Sequence, residues 1–181
     1  MRESRVAYRY ALAFLEVAEE QKKLDDVGKD CEFIRMLTKG SREFVMFLRS
    51  PVITTVRKEQ ALSEIFTGRV SDLTMKFIQL LASKDRESIL PEVIHQFIKL
   101  RDERLGILNV TARSAAKFTD AQHQQLVRQL EEATKKKVNI TYTLDPSLKG
   151  GFLVQHGDTV WDASVRHQLD VLKKRFVEGT A

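Results

Sequence analysis

Up to Gly106 the apolar residues recur at helical spacing, broken at Gly40, Ser50-Pro51 and Gly68, and nothing alternates with the period of two that a half-buried strand requires. The pattern predicts helices near residues 4–21, 24–38, 41–48, 54–66, 71–83 and 89–105, with Ser41, Thr54 and Ser71 as N-caps. After Gly106 the period changes. Leu108, Val110 and Ala112 alternate with polar residues, then Val138, Ile140, Tyr142 and Leu144 do the same, as strands with one buried face do.

Between these strands a helix is expected to open at Thr119, with Gln122 completing a capping box and Phe118 placed as a hydrophobic staple. Phe152-Leu153-Val154 and Thr159-Val160-Trp161 flank His156-Gly157-Asp158, which reads as a hairpin. A last helix begins near Asp162 to Ser164, and its Val165, Leu169, Leu172 and Phe176 form one stripe expected to face the core. The fold class is therefore mostly α: an N-terminal six-helix bundle over residues 1–106, then a small α/β domain, a mixed sheet plus helices, over residues 107–181.

Two helices carry more apolar surface than one core contact needs. In the first, Val6, Tyr10, Ala13, Phe14 and Val17 share a side, and Ala7, Ala11, Leu15 and Ala18 continue the apolar surface. In the fifth, Leu73, Met75, Phe77, Ile78, Leu80, Leu81 and Ala82 leave only a narrow polar face. Either both are central helices covered on all sides, or they line a groove for an amphipathic helix of a partner. For the groove the expected lining is Tyr10, Ala13, Phe14, Phe77 and Leu80, since alanine permits close approach and tyrosine tolerates a half-wet edge.

Charge adds little. The net +5 divides into 19 basic and 17 acidic groups over residues 1–106, and 11 and 8 over the remainder. The only basic run, Lys135-Lys136-Lys137, has no interleaved aromatic residues, so no nucleic-acid track is expected. A single cysteine, Cys31, excludes an intramolecular disulfide, and the carboxylates of Asp30 and Glu32 beside it oppose a reactive thiolate, so it is expected in the core. No run approaches the roughly 20 apolar residues that span a bilayer. The first residues suggest neither a secretory signal nor an acid-poor transit segment.

Candidate chemistry is sparse. The four histidines show no metal-ligand spacing, and Gly150-Gly151 precedes a strand-like run, so turn geometry or close backbone approach explains the pair better than phosphate binding. Asp145, Asp158 and Asp162 fall at turns or caps, where aspartate bonds local amides; only an unfamiliar small enzyme would use them as acid/base groups. Catalytic, cofactor and metal sites are all expected to be absent.

The stretch from Leu144-Asp145-Pro146-Ser147-Leu148-Lys149-Gly150-Gly151-Phe152 through Gly157-Asp158, Asp162 and Ser164-Val165-Arg166 resembles the C-terminal signature of the ATP synthase delta subunit, the oligomycin-sensitivity-conferring protein of mitochondria. Arg9-Tyr10-Ala11 with Ala13-Phe14 is similar to that family's opening helix. Arg86 with Leu90-Pro91 and Phe97 is similar to its sixth, and Ser114-Ala115-Ala116 with Thr119 to its interdomain junction. Departures are Ala163, where the family usually has Gly in Asp-Gly-Ser, and Asp85, where it usually has Asn.

The resemblance implies a non-catalytic stator subunit. Its helical domain would grip the N-terminal helices of the alpha subunits, and its smaller domain would meet the b subunits of the peripheral stalk, so that rotor torque is coupled to ATP synthesis. It also implies Gly150, Gly151, Gly157, Asp158, Asp162 and Ser164 as a structural signature. Length and the lack of a transit segment point to the bacterial type, peripheral at the cytoplasmic face of the inner membrane. The competing reading is a regulatory adaptor that binds an amphipathic helix of some other protein.

Overall fold

The computed structural model describes residues 2–156 and 159–178. The chain is mostly helical, with a mixed four-stranded sheet in its C-terminal part, and divides into two compact units, Met1–Arg101 and Asp102–Ala181.

The first unit contains α1 (Arg2–Glu20), α2 (Leu24–Gly40), α3 (Arg42–Arg49), α4 (Thr55–Phe66), α5 (Asp72–Ser83), a 3-10 turn (Glu87–Ile89) and most of α6 (Leu90–Arg104). The breaks lie where local chemistry puts them. Ser41 and Ser71 accept the amides of Phe44 and Thr74 as N-caps, whereas Thr54 holds the extended N-cap conformation without a side-chain bond. Gly68 closes the α4 region with φ +72°, and Lys22 and Asp85 also sit in the left-handed region, at +55° and +53°. Asn tolerates that region better than most residues, so the Asn that the resemblance implies at position 85 would suit this backbone.

The core joins all six helices through Leu15, Ile34, Leu48, Phe66, Ile78, Leu81, Ile94 and Phe97, each at most 1% exposed. Cys31 belongs to it, and burial, reinforced by the charge of Asp30, pushes its thiol far above the usual range. One ion pair is enclosed as well: Lys58 Nζ lies 2.5 Å from Glu87 Oε1, both side chains 7% exposed, and donates to the Leu48 carbonyl at 3.2 Å. Leu48 is in the last turn of α3, where carbonyls lack helical partners, so one lysine caps α3 and anchors the 3-10 turn.

The second unit contains β1 (Ile107–Ser114), α7 (Asp120–Thr134), β2 (Lys137–Leu144), a 3-10 turn (Pro146–Leu148), β3 (Phe152–His156), β4 (Thr159–Asp162) and α8 (Val165–Glu178). The sheet order is β2-β1-β3-β4, with β1 and β2 parallel and the other neighbours antiparallel. Thr119 and Gln122 form both bonds of the capping box; Phe118 meets Tyr142 and Phe152 in tilted ring contacts, anchoring the start of α7 to the sheet. Lys135 ends α7 in the left-handed conformation.

β1 buries Leu108, Val110, Ala112 and Ser114 in strict alternation, but β2 departs from the expected buried face. Val138 and Ile140 are half-buried, while Tyr142 and Leu144 are exposed, because β2 is an edge strand flanked only by β1. A larger correction concerns α8. Val165, Leu169, Leu172 and Phe176 are 40%, 52%, 49% and 72% exposed, so the expected core stripe faces outward. Spacing fixes which residues share a helix face, but not whether another element lies against it.

Candidate functional site

At about 100° per residue, Val6, Tyr10, Ala13 and Val17 fall within an arc of roughly 60° along one flank of α1. On α5, Leu73, Phe77 and Leu80 occupy a similar arc. The structure joins these flanks through their aromatic residues: Phe14 and Phe77 stack with ring centroids 4.0 Å apart and planes within 6°, and Phe14 also meets Phe97 at 5.1 Å. Phe14 and Phe77 are buried, at 2% and 8% exposure, so they are the floor of the seam and not its contact surface. Above them Tyr10 and Leu73 are half-buried, and Ala13, Val17 and Leu80 are exposed. Of the five residues singled out from sequence, two are thus core and three border the apolar strip.

Sequence reasoning missed what holds α5 in place. Asp30 Oδ2 accepts from the Ser71 amide at 2.9 Å, the Ser71 hydroxyl at 2.6 Å and the Thr74 hydroxyl at 2.7 Å. A carboxylate at a helix N-terminus satisfies orphan amides and opposes the positive end of the dipole. The available signal was an acidic residue between Val27 and Ile34, on the apolar side of α2.

In the second unit the glycine pair has a definite job. Gly151 has φ +73°, and a Cβ there would lie 2.3 Å from the Ala163 carbonyl oxygen; at Gly150 a Cβ would approach Val165 Cγ2 at 3.0 Å. Two backbone bonds lace the same crossing: Ala163 N donates to Phe152 O and Val165 N to Gly150 O. Ser164, almost fully buried, accepts the His167 amide as the N-cap of α8, and its own amide donates to Asp162 Oδ1. The signature residues therefore fix where α8 leaves the sheet. Gly157 and Asp158 lie outside the described residues.

The turn carboxylates are held as anions. Hydrogen bonds from the hydroxyl and amide of Ser147 lower the Asp145 carboxyl below its usual 3.8, and those from Ser164 do the same for Asp162. That is the wrong direction for a general acid. Because the native values are depressed, their contribution to stability is present above 3.8 and disappears as pH falls through the native values. Carboxyl NMR titration should place both midpoints below 3.8, and Ser147→Ala should return Asp145 toward it. An unmoved Asp145 midpoint would disprove the assignment. Among the described residues, no group of His, Cys, Asp or Glu is arranged to hold a metal ion.

Around these caps lies a second apolar face. Register places Tyr142, Ala112, Val154 and Trp161 in one row across the sheet; the middle pair is fully buried, and Trp161 on edge strand β4 is 44% exposed. Every described side chain of α8 from Val165 to Phe176 is exposed except half-buried Val171, and the apolar stripe is flanked by Arg166, Lys173 and Arg175.

Both units thus expose apolar side chains, on the flanks of α1 and α5 and along α8. The family model for the ATP synthase delta (OSCP) subunit matches residues 6–176. The chain belongs to this family. The ATP synthase subunit delta of Chlorobaculum parvum is 45% identical over 173 residues, covering 96% of each chain. That of Chlorobaculum tepidum is 43% identical over the same length and coverage, and that of Chloroherpeton thalassium 40% over 174 residues. A chain of the Toxoplasma gondii mitochondrial ATP synthase hexamer shares the fold, with a TM-score of 0.74 over 94% of this chain and 97% of that one, at 24% identity. As an ATP synthase delta family member the protein is a non-catalytic stator component, part of the peripheral stalk assembly of the membrane-bound F-type complex. The adaptor and small-enzyme readings fall away. No described helix is long and apolar enough to cross a membrane.

Proposed function

We propose that α1–α6 act as a six-helix bundle that holds an amphipathic helix at the N-terminus of an alpha subunit of the catalytic head. The observation that carries this is the exposed strip of Ala13, Val17 and Leu80, bordered by Tyr10 and Leu73, over the stacked Phe14–Phe77 floor. A rigid aromatic floor with small and aliphatic residues above it suits an apolar anchor repeated every three or four residues. The second unit, residues 107–181 in the domain division read from sequence, takes the end of the b subunits. The outward stripe of α8, with Val160 and Trp161 beside it in sequence, supports that role, because an isolated 14-residue helix gains most of its stability from whatever covers its apolar face. Its basic flanks favour a stalk helix with acidic residues beside its own seam.

Held at both ends, the subunit resists rotation of the head as the rotor turns, so torque deforms the catalytic sites instead of spinning the head. The protein sits at the cytoplasmic face of the bacterial inner membrane, attached through the complex alone.

The test is binding to a purified head with and without the first turns of its alpha subunits. Wild-type binding should require those turns. Ala13→Asp places a charge on an exposed position that docking buries, so it should leave folding intact and weaken binding by roughly 100-fold, from about 3 kcal/mol of unmatched desolvation. Full-affinity binding by that variant would exclude this flank of α1.

A further inference from the structure

Helix α1 carries its charges against its own dipole. Apart from Glu3, its charges run that way: Arg2, Arg5 and Arg9 lie in its N-terminal half and Glu16, Glu19 and Glu20 in its C-terminal half, with no basic residue in the last turn. The positive end of a helix disfavours cations, and like charges four residues apart, as at Arg5 and Arg9, repel. Neither exposed arginine forms an ion pair among the described residues, so their charges weaken the isolated helix.

The same two arginines line a cleft. With Tyr8 of α1 and Gln96 of α6 they surround an open volume of about 600 Å³. Tyr8 is 44% exposed, leaving its ring and phenol free for contact. Gln96 already donates its amide to Glu92 at 2.9 Å, so a carboxylate stands near this rim and the arginines supply the excess positive charge. At about 100° per residue Arg5 and Tyr8 lie roughly 80° or more around α1 from Tyr10, Ala13 and Val17, whereas Arg9 lies about 40° from Ala13, so the cleft borders the apolar strip and extends away from it.

We propose that the Arg5–Tyr8–Arg9–Gln96 cleft is a second, electrostatic docking site for an acidic segment of the catalytic head. Two guanidinium groups on successive turns can each engage a carboxylate, with the tyrosine ring packing on the intervening stem. The apolar strip supplies the buried contact, while the cleft steers approach and fixes orientation. This rests on the reading that the first unit holds the head.

The experiment measures affinity of the full-length protein for the purified head at low and high salt, comparing wild type, Arg5→Gln/Arg9→Gln and Ala13→Asp. The double variant should bind about tenfold more weakly at low salt, with the gap closing at high salt. Its thermal midpoint should hold or rise, because an unfavourable charge pair has been removed. An affinity unchanged at both salts overturns the inference while Ala13→Asp still reports on the head reading. Loss of affinity that follows a fall in thermal midpoint also overturns it, since the arginines would then be structural. So does inorganic phosphate binding to the free protein that is lost in the double variant while head affinity stays constant, which would assign the cleft to a small anion. If wild type does not bind the head at all, both readings fall together.

Discussion

Gly151→Ala should lower the stability of the C-terminal unit by about 3 kcal/mol or more, with α1–α6 unaffected. Two costs combine. An L-residue at φ +73° pays roughly 1–2 kcal/mol for the left-handed conformation. The new methyl would also stand 2.3 Å from the Ala163 carbonyl and 3.0 Å from Ser164 Cα, both main-chain atoms that cannot rotate away. Moving them disturbs the laced crossing at Ala163 and Val165, and with it the Ser164 cap of α8, so relief costs about 1–3 kcal/mol more. The chain's only tryptophan, Trp161, is in β4 and joins Asp162 and Ala163 directly, so urea unfolding followed by its emission reports this unit. Gly150→Ala is the control. Its methyl meets a side-chain carbon at 3.0 Å that can shift by tenths of an ångström, and its φ is not in the left-handed region, so the loss should be near 1 kcal/mol. Equal midpoints for Gly151→Ala and wild type would mean that the crossing is looser than the geometry requires.

Gly150-Gly151 shows how far a sequence can be read. Turn geometry or close approach is implied by two glycines before a strand, yet which of them carries the positive φ, and that the approaching backbone is Ala163, depends on a contact across residues distant in sequence. Helix positions were legible because the period of apolar residues and caps such as Ser41, Ser71 and Thr119 are local properties. Exposure was not. The α8 stripe and Tyr142-Leu144 have the same spacing as core residues and differ only in what lies opposite. For the apolar strip, the spacing grouped the residues that share a flank of α1 and of α5 but did not separate the floor, Phe14 and Phe77, from the surface above it. Asp30 and Lys58 were overlooked for a shared reason: each is a charged residue on the apolar side of its helix, Asp30 half-buried and Lys58 buried, and its partners lie on other elements.

Lys58 is the more consequential of these two. It follows the same stripe as Leu62 and Phe66, all three buried, so the 3.6-residue period brings an ammonium group into the core. There it is balanced by Glu87 and by the end of α3, but Glu87 Oε2 has no partner among the described residues, so the carboxylate is already only half satisfied. Replacing Lys58 by methionine keeps the stem's apolar contacts and removes the charge, leaving a buried carboxylate with no counter-ion and an uncapped Leu48 carbonyl. Breaking such a pair from one side costs about 3–5 kcal/mol, enough to unfold a domain of marginal stability. Removing both charges, as Lys58→Met/Glu87→Leu, should recover most of that loss, leaving about 1 kcal/mol for the Leu48 carbonyl. The cycle of wild type, two single variants and the double, followed by helical circular dichroism during urea unfolding, isolates the pair. A large positive coupling is the expected result. If Lys58→Met alone unfolds at the wild-type midpoint, the lysine reaches water in solution and the pair is not enclosed as the structure places it.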